Sequence, residues 1–441
     1  MGEERFEVGD LVRVRTRDGK VLEGIVMPST EFSSPDTLVI KLPNGYNVGI
    51  SLKESKVEVI RRSVVKVGVV PEPKTTKIEG RGDLRISLIS TGGTIVSKVE
   101  YETGAVKPAI TAEELVEMVP DFMEAAEEVT VTELYRVFSE DMTPDHWRVV
   151  SEEVAKHIRE GYDTVIVAHG TDTMAYTASA VAFAVRKLPQ PVMFVGAQRS
   201  SDRPSTDAVV NLKACVTISR KAPFGESVVV MHGSTSDEYV LAHRGVKVRK
   251  MHTSRRDAFQ SVNDIPLGKV LIPSLEYVQL NPRYIPRSSR PNAIELTPQF
   301  SNKVALIKFY PGMDCGIIDY LVSSGYEGIV IEGTGLGHIR GECVESVRRA
   351  TDSGTIVAIT SQTLFGRVNL KVYLNGRRLL KAGAIPLSDM LPETAYVKLS
   401  WLLGNFKGKG PDYIADVLRS NLVNELNPVH DGRHYPRWYH G

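Results

Sequence analysis

Two different patterns of hydrophobic and polar residues divide the chain. In its first part, apolar and polar positions alternate around the pair Asp18-Gly19 and again around Asn44-Gly45. Alternation around an Asp-Gly or Asn-Gly pair is a strong signal for a β-hairpin, because both residue types tolerate the positive φ angles of a tight turn. This pattern predicts a small β-barrel domain of the SH3-like kind over residues 1–62.

A second pattern begins at Leu84, where short apolar runs alternate with amphipathic segments. The runs "LRISLIS", "VTVTELYRV" and "YDTVIVAHG" have the composition of buried strands. Between the last two, Thr143 is placed to cap a helix, Pro144 suits its first position, and Gly161 suits its end. Strands that alternate with helices in this way predict a parallel sheet with helices covering both faces.

This division predicts an α/β protein with several units. Residues 63–83, which contain two prolines, are interpreted as a linker after the barrel. A larger α/β domain with the active site is expected over residues 84–285, and a smaller α/β domain with the tail over 286–441. The Pro-, Arg- and Ser-rich stretch around 262–300 is interpreted as the connection between them.

Composition narrows the classes of function. The 441 residues carry 54 basic and 53 acidic side chains, so no long-range field attracts nucleic acid or an anionic membrane. The strand "RVRTRDGK" is therefore either a solvated face or a local RNA-binding edge. No apolar stretch approaches the length of a membrane span, and the N-terminus lacks the core of a signal peptide. We expect a cytoplasmic protein without membrane contact.

Cysteine usage suggests a reduced protein. Cys215, Cys315 and Cys343 are odd in number, far apart in sequence and outside any CxxC pattern. Neither a disulfide framework nor a zinc ribbon is expected from such spacing.

Polar clusters follow three of the predicted strands. They are "TGGT" at 91–94, "SEDM" at 139–142 and "HGTDTM" at 169–174. Because open parallel sheets bind ligands beyond the carboxyl ends of their strands, the three clusters are expected to meet at one edge. Neither phosphate-binding pattern, GxGxxG or GxxxxGK[ST], follows the first strand, so "TGGT" is either a plain turn or a holder for a reactive hydroxyl.

A threonine hydroxyl is a weak nucleophile and needs a partner that takes its proton. A lysine that is desolvated enough to lose its charge could do this, with a carboxylate to orient it. Thr171 and Asp172 could also do no more than cap the following helix. Spacing alone does not identify the lysine.

The segments "STGGTI" and "AHGTDTM" resemble the two signature segments of the type I/II bacterial-style L-asparaginases, which are amidohydrolases with a threonine nucleophile. "YETG", "FSEDM", "VGAQRSSDRPSTDA" and "VRKMHTSRRDAF" match further segments of that family in the same order. The resemblance covers about residues 84–400 and implies an asparaginase-like fold.

By this resemblance, Thr94 would be the primary nucleophile, with Tyr101 on a neighbouring loop. Thr171 and Asp172 would form the second face of the site, and Lys250 would complete a Thr–Lys–Asp set. Backbone N–H groups near Thr171 would hold the oxyanion. The register of the lysine segment also leaves the nearby Lys247 as an alternative.

The resemblance also implies how a free amino acid is bound. Ser139 and Asp172 would hold its α-carboxylate and α-amino groups, and Gly93 and Gly170 would line the substrate. Glu140 stands where the family commonly has a glutamine, which puts one contact with the α-amino group in doubt. No metal or organic cofactor is implied for this chain.

An asparaginase-like region behind a small β-domain further resembles the family of D subunits of archaeal glutamyl-tRNA(Gln) amidotransferases. This resemblance implies a glutaminase that supplies ammonia to a separate E subunit, which uses ATP and Mg²⁺ and holds tRNA(Gln). A homodimer within a heterotetramer is implied as well. The alternatives are a stand-alone asparaginase or glutaminase, which would use the same residues, and a dead binding scaffold, which retention of the full site set disfavours.

Overall fold

The structure is a computed structural model. It describes residues 6, 10–27, 34, 36–43, 46–61, 74–92, 97–99, 106–108, 119–199, 205–288 and 293–435.

The chain begins with a five-stranded antiparallel sheet in the order β4-β3-β2-β1-β5. Its strands are β1 (Leu11–Thr16), β2 (Val21–Val26), β3 (Thr37–Lys41), β4 (Asn47–Ser51) and β5 (Ser55–Arg61). Alternate residues such as Val12, Val14 and Ile40 are fully buried in a small core of their own. Gly19 turns the first hairpin with φ 82°. The predicted turn at Asn44-Gly45 lies outside the described residues, although the strands on either side of it pair. The predicted small β-domain is confirmed.

A nine-stranded mixed sheet forms the centre of the molecule, in the order β19-β18-β15-β14-β13-β11-β7-β10-β6. The strands of this part of the chain are β6 (Lys74–Glu79), β7 (Leu84–Gly92), β8 (Ser97–Val99), β9 (Val106–Pro108), β10 (Ala126–Val137), β11 (Thr164–Ala168), β12 (Val185–Arg186), β13 (Val192–Val195), β14 (Ser227–His232), β15 (Tyr239–Arg244), β16 (Val248–Lys250), β17 (Phe259–Ser261), β18 (Gly268–Leu271), β19 (Tyr277–Gln279) and β20 (Glu295–Leu296). Strands β10, β7, β11, β13 and β14 are parallel, as predicted, and the flanking strands are antiparallel.

In the part of the chain that the structure describes, this sheet is covered by the helices α1 (Pro120–Ala125), α2 (Pro144–Arg159), α3 (Met174–Ala184) and α4 (Ala208–Lys221). Helices α2 and α3 pack on one face, and α1 and α4 on the other. The sequence signals for α2 are confirmed. Thr143 caps it in a capping box with His146, and Gly161 takes up φ 80° beyond its end. Ten of the eleven residues of α3 are buried, because a helix of the second unit packs on its other side.

The second unit is a four-stranded parallel sheet, β21 (Val304–Lys308), β22 (Gly328–Gly333), β23 (Ile356–Ser361) and β24 (Ile385–Pro386). Its helices are α5 (Gly316–Ser323), α6 (Cys343–Asp352), α7 (Leu374–Lys381), α8 (Pro392–Phe406) and α9 (Pro411–Arg419). Helices α5 to α7 cover one face, while α8 and α9 belong to the same hydrophobic core as α2 and α3. The predicted α/β architecture with a smaller second α/β unit is confirmed.

Two segments contain strands that the sequence did not indicate. Within the predicted linker, Lys74–Glu79 forms β6, an edge strand that pairs with β10, because its Thr and Ile residues favour extended backbone. Within the predicted connection, β18 and β19 extend the central sheet beyond β15. Strands β6 and β19 form the two edges of the sheet, where short polar strands carry little hydrophobic pattern. Among the described residues, no helix is long and apolar enough to cross a bilayer.

The expectation of no disulfide is wrong. Cys315 and Cys343 form a disulfide bond between residues 28 positions apart. Cys315 directly precedes α5, and Cys343 is the first residue of α6, which packs beside α5. Consecutive βα units therefore bring the two thiols together, whatever their distance in sequence. Cys215 is a buried free thiol, and burial raises its pKa.

Candidate active site

Three neighbouring parallel strands bring the predicted polar clusters to one edge of the sheet. At the carboxyl end of β7, Ser90 is paired with Ala168 of β11, and Gly92 with Val137 of β10. The hydroxyl of Thr91 ties β7 to β11, since it donates to the Ala168 carbonyl over 3.1 Å. The segments that follow the three strands therefore start side by side, as expected from the sequence.

Gly92 is the first glycine of "TGGT", and its position requires glycine. Its φ is 103°, and a Cβ there would stand 2.5 Å from the carbonyl oxygen of Val137. Gly93, Thr94 and Tyr101 come next in this segment, and these three predicted site residues lie outside the described residues.

The second threonine cluster meets the predicted lysine. The amine of Lys250 donates to the Thr171 hydroxyl over 2.9 Å and to the Asp172 carboxylate over 2.7 Å. Thr171 is buried, the side chain of Lys250 is 12% exposed, and that of Asp172 is 67% exposed. The three side chains thus form a connected set with one carboxylate face open to a ligand.

A β-hairpin that lies far from Thr171 in sequence places Lys250. Strand β16 pairs with β17 in an antiparallel ribbon, in which Lys250 lies opposite Phe259. Arg249, one position earlier, lies 3.2 Å from Glu393 of the second unit. Lys247 is fully buried and bonds to Asp389, away from Thr171. Geometry therefore brings Lys250, and not Lys247, to the threonine cluster.

The turn after β10 provides the third wall. Ser139, Glu140 and Asp141 form one turn of 3₁₀ helix, in which Ser139 is buried and Glu140 is exposed. The hydroxyl of Thr173 donates to the Ser139 carbonyl over 2.6 Å and so joins this turn to the "HGTDTM" segment.

Two residues to which the sequence analysis assigned no role of their own lie close to the Thr171 segment. His169 is buried, and burial lowers its pKa to about 4, so the ring is neutral near pH 7. Its Nδ1 lies 2.7 Å from the Gly170 carbonyl, to which it donates, and its Nε2 accepts from the Thr177 hydroxyl. Gly196, which follows β13, approaches so closely that a Cβ would stand 2.8 Å from the Thr171 methyl group. A lone histidine and a strand-end glycine carry no sequence signal that separates them from ordinary core residues.

Three family descriptions match successive parts of the chain. "GatD N-terminal domain" covers residues 6–60, "Asparaginase, N-terminal" covers 85–283, and "Glutaminase/Asparaginase C-terminal domain" covers 303–418. The second match includes the whole candidate site.

Similar proteins extend over nearly the full length. The D subunit of the glutamyl-tRNA(Gln) amidotransferase of Metallosphaera sedula is 49% identical, over 98% of this chain and 96% of the relative. Its counterpart in Pyrococcus furiosus is 52% identical, over 96% of this chain and 95% of the relative.

Solved structures share the fold of the two α/β units. The thermostable L-asparaginase from Thermococcus kodakarensis superposes with a TM-score of 0.68 at 27% identity, covering 78% of this chain and 100% of that one. L-asparaginase I from Vibrio cholerae gives a TM-score of 0.66, also at 27% identity, with coverages of 78% and 99%. With its N-terminal β-domain, its asparaginase-like units and its full-length relatives, the chain belongs to the family of D subunits of glutamyl-tRNA(Gln) amidotransferases, which are tRNA-dependent amidotransferases.

Proposed function

We propose that this chain is the glutamine-hydrolysing subunit of such an amidotransferase and releases ammonia from the side-chain amide of glutamine. One observation carries the proposal. The amine of Lys250 contacts both the Thr171 hydroxyl and the Asp172 carboxylate, at the edge of the sheet where β7 leads into Thr94. A hydroxyl, an amine and a carboxylate in one connected set are the groups that activate a weak oxygen nucleophile.

The proposed reaction is acyl transfer. Thr94 attacks the carbon of the substrate amide, and its proton passes through the polar groups of the site to the leaving nitrogen. Backbone N–H groups near Thr171 stabilise the oxyanion, ammonia departs, and water hydrolyses the resulting ester. Lys250 serves Thr171 as the proton-exchanging amine, and Asp172 orients it. Tyr101 acts beside Thr94. The steps need no metal or organic cofactor in this chain.

The open side of the set suits the head group of a free amino acid. The Asp172 carboxylate is mostly exposed and can accept from an α-ammonium group. Ser139, in the turn that Thr173 joins to this segment, is assigned to the α-carboxylate. Gly93 and Gly170 are assigned to the lining of the substrate. Glu140 adds a second carboxylate near this wall and would strengthen the attraction for the α-ammonium group.

The ammonia is proposed to serve a second site on another chain. Ammonia that escapes into water becomes protonated and loses its nucleophilicity, so a donor subunit should pass it to a partner through a sheltered path. The proposed partner is the E subunit, which binds tRNA(Gln) and uses ATP and Mg²⁺ to activate the glutamyl end. A near-zero net charge of +1 agrees with a partner that carries most of the tRNA contact. We further propose a homodimer within a heterotetramer.

Ammonia release from glutamine by Lys250→Met tests the proposal. We expect loss of at least about 10³-fold in kcat, since the amine that serves the hydroxyl is removed. Arg249→Met is the matched control, because this neighbouring cation on the same strand bonds to Glu393 instead of Thr171. The kcat of Arg249→Met for glutamine should stay close to that of the wild-type protein. Equal turnover in the two variants would remove Lys250 from the reaction.

The nucleophile is tested separately with Thr94→Val and Thr171→Val, each measured with glutamine and with asparagine. Both variants should lose turnover while their circular dichroism spectra stay unchanged. Full activity in either one would rule out the role assigned to that hydroxyl.

Dependence on the partner distinguishes a subunit from a stand-alone enzyme. Glutamine hydrolysis should be weak in the isolated chain and should rise when the E subunit and glutamyl-tRNA(Gln) are added together. Equal rates with and without them would favour a stand-alone asparaginase or glutaminase.

A further inference from the structure

A polar network centred on a buried histidine lies at the carboxyl end of β14. His232 is the last residue of that strand and has no exposed surface. Its Nδ1 lies 2.6 Å from the amide oxygen of Asn211, and its Nε2 lies 2.9 Å from the carboxylate of Asp237. Both ring nitrogens therefore face oxygen atoms that accept hydrogen bonds.

The orientation of Asn211 is fixed by its other neighbours. Its amide nitrogen donates to the Gly196 carbonyl over 3.1 Å and to the Asp207 carboxylate over 3.3 Å. Turning the amide round would place its oxygen against these two acceptors and lose both bonds. Because the oxygen must face His232, the Nδ1 atom must carry a hydrogen, and Asp237 requires another on Nε2. A ring that carries a hydrogen on both nitrogens satisfies both acceptors at once.

One end of the network supports Thr171. Asp207 accepts from the backbone N–H groups of Gln198 and Arg199, which holds the loop after β13. Asn211 fixes the carbonyl of Gly196 in the same loop, and Gly196 is the residue that packs against Thr171. A shift of this loop would move the Thr171 side chain directly.

The other end supports Lys250. Asp237 accepts from the guanidinium of Arg256 over 2.9 Å, and Arg256 also donates to the Ser205 carbonyl. Arg256 sits in the tip of the β16–β17 hairpin, whose first strand ends at Lys250. The bond between Asp237 and Arg256 therefore anchors the hairpin that carries the amine.

We propose that His232 is a positioning residue that, as an imidazolium, joins the loop behind Thr171 to the hairpin that carries Lys250. The inference rests on the proposed function, because it assigns His232 to the geometry of that threonine–lysine pair. A neutral ring could donate only one of its two hydrogen bonds and would release either the Asn211 side or the Asp237 side. The cation holds both sides at once and offsets the carboxylate charge of Asp237.

Steady-state hydrolysis of glutamine by His232→Gln, with the full chain and its partner, tests this role. Glutamine can fill the space but cannot donate to two acceptors on opposite sides, so the hydroxyl and the amine should separate. We expect kcat to fall by about 10²-fold while KM changes little, because the ring does not touch substrate. His157→Gln is the matched control. His157 is also buried and bonds to Ser87 of β7 and to Glu153 of helix α2, away from the site. It should lose stability and keep its kcat.

A second variant keeps the test valid if His232→Gln does not fold. Asp237→Asn changes a side chain that is 55% exposed, and it keeps an oxygen for Arg256 while removing the charge that holds the imidazolium. Asp237→Asn should lower kcat, as His232→Gln does. In ¹⁵N spectra of histidine-labelled protein, His232 should show two protonated nitrogens near pH 7, assigned by their loss in the Gln variant.

Unchanged kcat in Asp237→Asn and His232→Gln, or a ring with one unprotonated nitrogen, would overturn the inference. That failure can be told apart from failure of the proposed function. If Lys250→Met is inactive while the His232 variants are fully active, only the positioning role is lost. If Lys250→Met and Thr171→Val are both active, the proposed site itself is wrong.

Discussion

Replacing Lys247 should destabilise the protein strongly and spare its chemistry, the opposite of the result expected for Lys250. The Lys247 ammonium is fully buried and donates to the Asp389 carboxylate over 2.8 Å and to its backbone carbonyl over 3.0 Å. Asn427 donates two further bonds to the same carboxylate. Burial raises the pKa of Asp389, but the Lys247 charge and these hydrogen bonds outweigh it, so the net pKa is lowered and the group is charged at neutral pH.

Lys247→Met would leave this carboxylate buried without a cation. Loss of one partner of a buried pair costs about 3–5 kcal/mol, since the remaining charge is no longer compensated. A second substitution separates that cost from lost packing. In Lys247→Met/Asp389→Asn the residue at 389 is uncharged, and its single amide oxygen can still accept one of the two hydrogen bonds from Asn427, so a large part of the lost stability should return.

Urea unfolding followed by tryptophan fluorescence measures these changes. Trp147 and Trp401 are buried in the same core as Val246 and Met390, which flank the pair in sequence. Glutamine hydrolysis of the folded single variant should fall by no more than about tenfold. A loss of stability below about 1 kcal/mol, or a folded variant without turnover, would contradict the reasoning, and the second result would transfer the role of the amine to Lys247.

Three further outcomes are expected. Replacing both Cys315 and Cys343 by serine should lower the free energy of unfolding of the second unit by about 3–4 kcal/mol, since the bond closes a loop of 28 residues; wild-type protein in reductant should match the variant in urea titrations. Gly196→Ala should lower kcat about tenfold or more with the fold retained, because the new methyl group would push Thr171 from its place. An unchanged kcat would show that the backbone at residue 196 shifts instead of Thr171. Acidification should weaken α2, because the hydrogen bonds that His157 and Lys156 of the same helix donate to the Glu153 carboxylate lower the pKa of Glu153 to about 2. That stabilisation is complete above the ordinary carboxyl pKa of 4.5 and is lost as the pH falls towards 2. Acid titrations of helix content with the same midpoint pH in wild type and in Glu153→Gln would contradict this reasoning.

Local signals in the sequence were sufficient for the elements that carry the site backbone. The cap at Thr143 and the buried run before His169 depend on neighbouring residues alone, and the structure follows both. The meeting of three strand ends at one edge follows from parallel topology, so it could be predicted without coordinates.

Features that depend on distant parts of the chain were missed. The bond between Cys315 and Cys343 arises from the packing of α5 beside α6, which no spacing rule encodes. Edge strand β6 gains its partner from β10, far along the chain, and its own pattern is weak. The lysine could be chosen only by resemblance, since the amine reaches Thr171 through a hairpin 79 positions away.

The way that hairpin is held is the reason why we expect the loss of a single anchor to lower stability and to spare turnover. At the base of the hairpin, Lys247 and Asn263 both donate to the Asp389 carbonyl, and Thr394 donates to the Val246 carbonyl. These hydrogen bonds connect both strands of the hairpin to the second unit. At the tip of the hairpin, Arg256 is tied to the His232 network. When Lys247 is lost, Asn263, Thr394 and the tip still fix the path of the hairpin, and Lys250 keeps its place. The second unit thus shapes the amine's position from a distance, through hydrogen bonds to backbone that leave the reacting groups untouched.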